Sequence, residues 1–226
     1  MKIGLIIAIE RELKSFLENG SAIETLAVGS MTVYRTELYG HEVLAVRSGY
    51  GEIDAAAATQ LLITWGGCET VLNFGVTGAL DPLLRVEELF VVRRVCHYDY
   101  DVSPIDPVRK HQYAEFPDEF IPLDPDLIRR ALAVMPSLRE ATVASGDRFV
   151  EDQADKRALR ALGCDICDME IAAIARICAL NGVPCLSVKC ISDTYDGTGA
   201  DFEKNVLAGA AKAFRLLLKI IEKIPV

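Results

Sequence analysis

Apolar residues fall along this chain in short unbroken runs: IGLIIAI (3–9), EVLAVRS (42–48), TVLNFGV (70–76), ELFVVRRV (88–95), ATVASG (141–146) and PCLSVKCIS (184–192). Runs of strand length without polar alternation are expected where a sheet is covered on both faces. Between them lie segments with helical spacing, 10–18, 52–65, 125–135, 153–162, 168–181 and 202–223. In the fifth, Ile171, Ile174, Ala175 and Cys178 stand at i, i+3, i+4 and i+7. Alternating strands and helices predict an α/β layered fold around a largely parallel sheet. The piece from Ser103 to Pro125 breaks the pattern, with five prolines and little periodicity. It reads as a functional loop or lid. No linker, repeat or low-complexity tract divides the chain, so residues 1–226 read as a single domain.

Composition narrows the partners. Hydrophobic residues make up 51% of the chain, enough for a sizeable buried core, and the net charge is −9 with no basic block. A phosphate backbone or an anionic membrane asks for a positive stripe, so neither nucleic acid nor membrane is the expected partner. The opening MKIGLIIAIERE is too short to span a bilayer and has no small-residue cleavage site, and it reads as a buried first strand. Seven cysteines, several in apolar surroundings (Cys96, Cys178, Cys185, Cys190), suit buried thiols in a reducing, cytoplasmic setting. The pair Cys164 and Cys167 in CDIC has no second pair to complete a zinc site, and His41, His97 and His111 are scattered. No metal and no cofactor are expected.

Ligands in open α/β sheets sit beyond the carboxyl ends of the strands. The residues just after the apolar runs are Glu10 and Glu12, Ser48-Gly49-Tyr50-Gly51, Gly75-Val76-Thr77-Gly78, Ser145 to Phe149, and Ser192-Asp193; Asp168 and Glu170 precede a helix. Glycines and carboxylates thus recur at one edge. Each has an ordinary explanation taken alone. Glu12, Asp168 and Glu170 suit the first turn of a helix, where orphan N–H groups and the dipole favour acids, and Asp193 suits a helix N-cap. The glycines suit tight strand-to-helix turns.

In combination, MKIGLIIAIERE, SGYG, NFGVTGAL, SGDRFV, DMEIAA and ISD resemble the nucleoside phosphorylase and nucleosidase superfamily, with the motifs in family order from Met1 to the last helix. Within it the chain most resembles the 5′-methylthioadenosine/S-adenosylhomocysteine nucleosidases. The resemblance implies a single-domain α/β layered fold, its central twisted, largely parallel mixed sheet flanked by helices. It also implies hydrolysis of the N-glycosidic bond of an adenine nucleoside, releasing adenine and a thiopentose. A homodimer is implied too, with the 103–125 loop as the candidate segment lent to a partner's pocket.

By that resemblance Asp193 protonates the departing adenine at N7, Glu12 takes a proton from the attacking water, and Glu170 holds the ribose hydroxyls opposite the developing oxocarbenium charge. Met169 packs on the sugar, Phe149 stacks on the purine and Val150 reads the purine edge through its backbone. Ile9, Tyr50 and Phe202 wall the 5′ pocket. Asp168 points the other way by local spacing and keeps the capping reading. Val76 departs from the pattern, since relatives carry a small hydroxyl residue there, and with Asn73 it offers a phosphate neither a hydroxyl nor a cation. That favours hydrolysis over phosphorolysis and puts the hold on the attacking water in question. Arg11 and Arg148 lie close to the expected pocket, and either one turned inward would favour an anionic 5′ group such as that of a futalosine-type nucleoside. A purine nucleoside phosphorylase and a catalytically weak nucleoside-binding relative are the other two readings.

Overall fold

A computed structural model describes residues 1–19 and 22–226. In chain order the elements are β1 (Lys2–Ile7), α1 (Glu10–Asn19), β2 (Glu24–Val28), β3 (Met31–Leu38), β4 (His41–Arg47), α2 (Glu52–Thr64), β5 (Thr70–Ala79), β6 (Leu89–His97), β7 (Ile121–Pro122), α3 (Pro125–Val134), β8 (Arg139–Ser145), α4 (Gln153–Ala161), β9 (Ile166–Asp168), α5 (Ile171–Asn181), β10 (Cys185–Asp193) and α6 (Gly199–Ile221). The six helices found among the described residues have readable ends. Asp124 and Asp152 accept backbone N–H bonds at the starts of α3 and α4, Thr198 and Asp201 form a capping box on α6, and Gly182 closes α5 in the left-handed region.

All ten strands join one mixed sheet, in the order β10-β6-β8-β9-β5-β1-β4-β3-β2, with β7 on β6. Parallel pairings run through β4, β1, β5 and β10. The strands β1, β5 and β10 are buried almost throughout, which is why they read as unbroken apolar runs. β10 also pairs with both β5 and β6, so the half of the sheet beyond β5 closes on itself.

The structure corrects the sequence reading in four places. The β2–β3 hairpin falls where no element was expected; its residues are mostly exposed or half-buried, with Val33 and Thr36 buried, so it has no continuous apolar run. The third run continues to Ala79, so Gly75 to Gly78 lie inside β5 rather than in a turn after it. The helix expected from 168 begins at Ile171, because residues 166–168 form β9 against β5 and β8. Within the 103–125 segment, Ile121–Pro122 add a short strand to β6.

The change of partner along β5 positions the site. β1 pairs with β5 only as far as Asn73, and β9 joins it only at Gly78. Phe74 to Thr77 therefore face a gap between two strands, at the carboxyl end of the parallel core.

Candidate active site

A cavity of about 400 Å³ opens at this gap, and Glu12, Asp168, Glu170 and Asp193 all reach its wall. Glu12 comes from the first turn of α1. Its Oε1 accepts from Val76 N at 2.9 Å, and its Oε2 from Ala8 N at 3.2 Å and Ile9 N at 3.3 Å. The carboxylate thus satisfies backbone donors that no strand satisfies. Burial raises the Glu12 pKa, while Lys189 and the three N–H bonds pull it back toward ionisation. Glycine at 75 makes the approach possible, since a Cβ there would strike the Glu12 carboxylate. Val76 meets Glu12 through its backbone; its side chain packs against Gly209 of α6. The bond that position 76 gives Glu12 is thus one that valine supplies.

Glu170 stands at the N-cap of α5 without capping it through its side chain. The first N–H groups of α5 are satisfied from elsewhere. Ile171 N donates to Asp168 Oδ1 at 3.4 Å, Ala172 N to Ser145 Oγ at 3.1 Å, and Ala173 N to Glu52 Oε2. Ser145 Oγ in turn donates to Glu52 Oε1 at 2.6 Å. This substitution leaves the Glu170 carboxyl free to turn to the cavity, where its Oε1 accepts from Gly51 N at 3.1 Å. Burial, reinforced by Asp168, pushes Glu170 up to about 8. Burial likewise pushes Glu52 to about 8, against its bond from Ser145.

Asp168 is both cap and site residue, which corrects the expectation that it points away. It lines the cavity, and its Oδ2 lies 2.7 Å from Nζ of Lys189. Lys189 is wholly buried in β10; burial alone would lower its pKa, but Asp168, Glu170 and Glu12 outweigh that and hold it above the ordinary value. One lysine thus compensates a cluster of three buried acids. Sequence reasoning missed Lys189 and Glu52. The signal for Lys189 was a single charge inside the apolar run PCLSVKCIS; Glu52 carried none beyond following SGYG.

Asp193 ends β10, where a register shift between Ile191 and Asp193 breaks the ladder with β5. Such irregularities re-aim a side chain, and Asp193 lines the cavity. Its Oδ1 accepts from Ser192 Oγ at 2.8 Å, and burial raises its pKa despite that bond and the attraction of Lys156. The apolar wall holds Ile9, Val76, Met169 and Phe202, with Tyr50 and Phe149 at its exposed parts. Phe149 and Phe202 meet edge to face at 5.8 Å. Val150 lines a smaller pocket of about 40 Å³ that shares Phe149, Met169 and Asp193 with the main one.

Neither arginine lines the main cavity. Arg11 holds Glu203, a lining residue, in a two-pronged pair at its rim, and Arg148 holds Asp155 at 3.0 Å while lining the smaller pocket. Asn73 donates to Ile6 O and accepts from Ser187 within the sheet, so it is structural. All seven cysteines are buried free thiols. Among the described residues no helix is long and apolar enough to cross a membrane.

Comparison with known proteins follows the same lines. The family model of the phosphorylase superfamily matches residues 2–222. A 5′-methylthioadenosine/S-adenosylhomocysteine nucleosidase of Tolumonas auensis is 33% identical over 219 residues, covering 94% of each chain. An aminodeoxyfutalosine nucleosidase of Campylobacter jejuni is 28% identical, covering 99% of this chain and 100% of its own. The S-adenosylhomocysteine nucleosidase of Streptococcus pyogenes, solved with 5-methylthiotubericidin, superposes with a TM-score of 0.93 at 26% identity over 100% of this chain and 98% of that one. A futalosine hydrolase mutant of Helicobacter pylori superposes with a TM-score of 0.94 at 26% identity, over 99% and 100%.

Proposed function

The chain belongs to the phosphorylase superfamily, and from that premise we propose that it hydrolyses the N-glycosidic bond of 5′-thio-substituted adenine nucleosides, methylthioadenosine and S-adenosylhomocysteine. It is an N-glycosyl hydrolase that releases adenine and the thiopentose. The observation that carries this reading is the convergence of three buried carboxyl groups, Glu12, Glu170 and Asp193, on one largely apolar cavity.

The chemistry divides among them. As the C–N bond lengthens, its electrons move to the base and positive charge builds on the ribose. Asp193, with a raised pKa, carries a proton to give to the departing adenine. Glu12, held by three N–H groups and Lys189, takes the proton of a water that attacks the anomeric carbon. Glu170 grips the ribose hydroxyls beside the developing oxocarbenium charge. Met169 packs on the sugar, Phe149 stacks on the base, Val150 offers its backbone to the purine edge, and Ile9, Val76, Tyr50 and Phe202 hold the thio substituent.

The lining of the cavity contains neither lysine nor arginine. Phosphate would enter without a counter-charge, which disfavours phosphorolysis. A carboxylated 5′ group would also enter unpaired, since Arg11 and Arg148 are already matched by Glu203 and Asp155. Thio substituents fit that wall better than anionic ones. The reading extends to a cytoplasmic enzyme of sulfur-nucleoside recycling toward methionine that works as one domain and pairs as a homodimer. Ile53 on α2, Trp65 just past its end and Leu180 on the neighbouring α5, apolar and exposed, support the pairing.

The test is incubation with methylthioadenosine, S-adenosylhomocysteine, inosine and a futalosine-type nucleoside, each with and without phosphate, and chromatography of the free base. Adenine release from the first two without phosphate is the expected result; release that requires phosphate sinks the hydrolase. The Asp193→Asn chain is expected to bind methylthioadenosine but to release adenine at least about a hundredfold more slowly. Unchanged turnover would remove Asp193 as the acid.

A further inference from the structure

Lys156, on α4, is wholly buried and takes no part in the steps above. Its Nζ lies 3.1 Å from Thr194 O, 2.9 Å from Tyr195 O and 3.4 Å from Gly197 O. Three carbonyls around one nitrogen call for three N–H donors, which the ammonium form supplies. No carboxylate lies within ion-pair distance of it among the described residues, and its immediate neighbours are the three carbonyl dipoles. Such a charge is expensive to keep out of water.

The three carbonyls belong to the turn that directly follows Asp193. The turn is tight: Gly197 N donates to Thr194 O at 2.9 Å, and a Cβ on Gly197 would come within 2.8 Å of Thr194 N and 3.2 Å of the Asp193 Cβ. Lys156 therefore ties α4 to the end of β10 at the point where the strand delivers Asp193 to the cavity. Its charge is also felt at Asp193, whose pKa it lowers against burial. The other groups that act on that carboxyl are Ser192, which donates to it, and Asp201 and Glu151, which oppose its ionisation. Cys167 of β9 faces it as a neutral thiol, held above its ordinary pKa by burial. Lys156 is the one cation of the set.

We propose that Lys156 is the positioning residue of the acid: it clamps the Thr194–Gly197 turn that fixes Asp193, and its charge stabilises the carboxylate left when the proton has gone to the base. This rests on the reading of Asp193 as the acid. In that step the Asp193 O–H bond breaks, an N–H bond forms on the departing base, and the negative charge stays on Asp193. A fixed cation nearby lowers the free energy of that product without touching the substrate.

The test compares Lys156→Gln, which keeps N–H donors for the turn but drops the charge, with Lys156→Arg, which keeps the charge. Thermal melting first establishes that each chain is folded, and Lys156→Met is the second charge-free variant should glutamine not fold. For methylthioadenosine, the charge-free chain is expected to lose about tenfold in kcat with KM little changed, and to move the alkaline limb of kcat upward by about one pH unit. A carboxyl that loses its cation is a weaker acid and keeps its proton to higher pH. Lys156→Arg is expected to keep the wild-type limb. An unmoved limb in the charge-free chain, or equal losses in both variants, would overturn the proposal and leave Lys156 a structural clamp. If the unaltered chain cleaves no nucleoside, the functional reading fails by itself. The Asp193 carboxyl titration followed by 13C NMR then decides the role of Lys156: a higher midpoint in the charge-free chain supports the coupling, and an equal one overturns it.

Discussion

At position 75 the backbone of β5 runs close under a carboxylate, and only hydrogen leaves Glu12 room. A methyl group there meets Oε1, and Glu12 cannot retreat without abandoning its bonds from Val76, Ala8 and Ile9. Gly75→Ala is expected to lower kcat by at least about a hundredfold, since it displaces the proposed base while leaving the base-binding end of the cavity in place. Steady-state kinetics check this, and a normal kcat would show that Glu12 is not the base. The carboxylates were legible at this scale because acids that follow apolar runs stand out against them. Lys189 and Lys156 were not. Lys189 is a lone charge in an apolar run and Lys156 one of several charges in a polar helix; neither shows its partner, because Asp168 and the turn at 194–197 arrive from other elements.

The start of α5 shows how elements divide the labour. A helix N-terminus needs acceptors for its first N–H groups, and here Asp168, Ser145 and Glu52 supply them from β9, β8 and α2. Glu170 is thereby released from capping. Glu52→Ala withdraws one acceptor, and the expected outcome is a stability loss of about 1–2 kcal/mol with a KM raised about tenfold, as Glu170 turns back to its own helix. Denaturant melts and KM values check it; an unchanged KM would separate Glu52 from the site. Element order was readable where burial is two-sided, as in β1, β5 and β10. The hairpin of β2 and β3 escaped because it is largely exposed and carries no unbroken apolar run, and β9 escaped because three residues are too few for any period to register. The register shift that aims Asp193 is a tertiary event with no local signature.

For the whole molecule the buried acids set a pH dependence. Glu52 and Glu170 have folded pKa values of about 8, against an ordinary 4.5. Between those values the folded chain holds protons that the unfolded chain has lost, so the contribution of these groups to stability falls as pH rises through that window. The melting temperature of the ligand-free protein is expected to decline from pH 5.5 to pH 8.5 by several degrees, about 2–4 °C per kcal/mol for a chain of this size. Glu52→Gln should flatten the slope, because an amide has no proton to lose; calorimetric scans at several pH values check both. A curve that rises over the same range would mean that the two carboxyls are already ionised in the fold. Both acids are buried between elements far apart in the chain, Glu52 against Ser145 and Ala173 and Glu170 against Gly51, and nothing in the linear order of apolar runs announces those meetings.

The single lysine among Glu12, Asp168 and Glu170 has a thermodynamic consequence for ligands. At neutral pH the cluster stores protons, and a cationic guest, whether a charged ring nitrogen or the ribosyl cation itself, drives Glu170 to discharge one into the buffer. Binding of such a guest should therefore release heat that depends on the ionisation enthalpy of the buffer, with close to one proton expelled per site at pH 7, and its affinity should climb about tenfold per pH unit up to about 8. Titration calorimetry in phosphate and in Tris reads that proton directly. An uncharged nucleoside, entering the same cavity, would leave the two buffers indistinguishable.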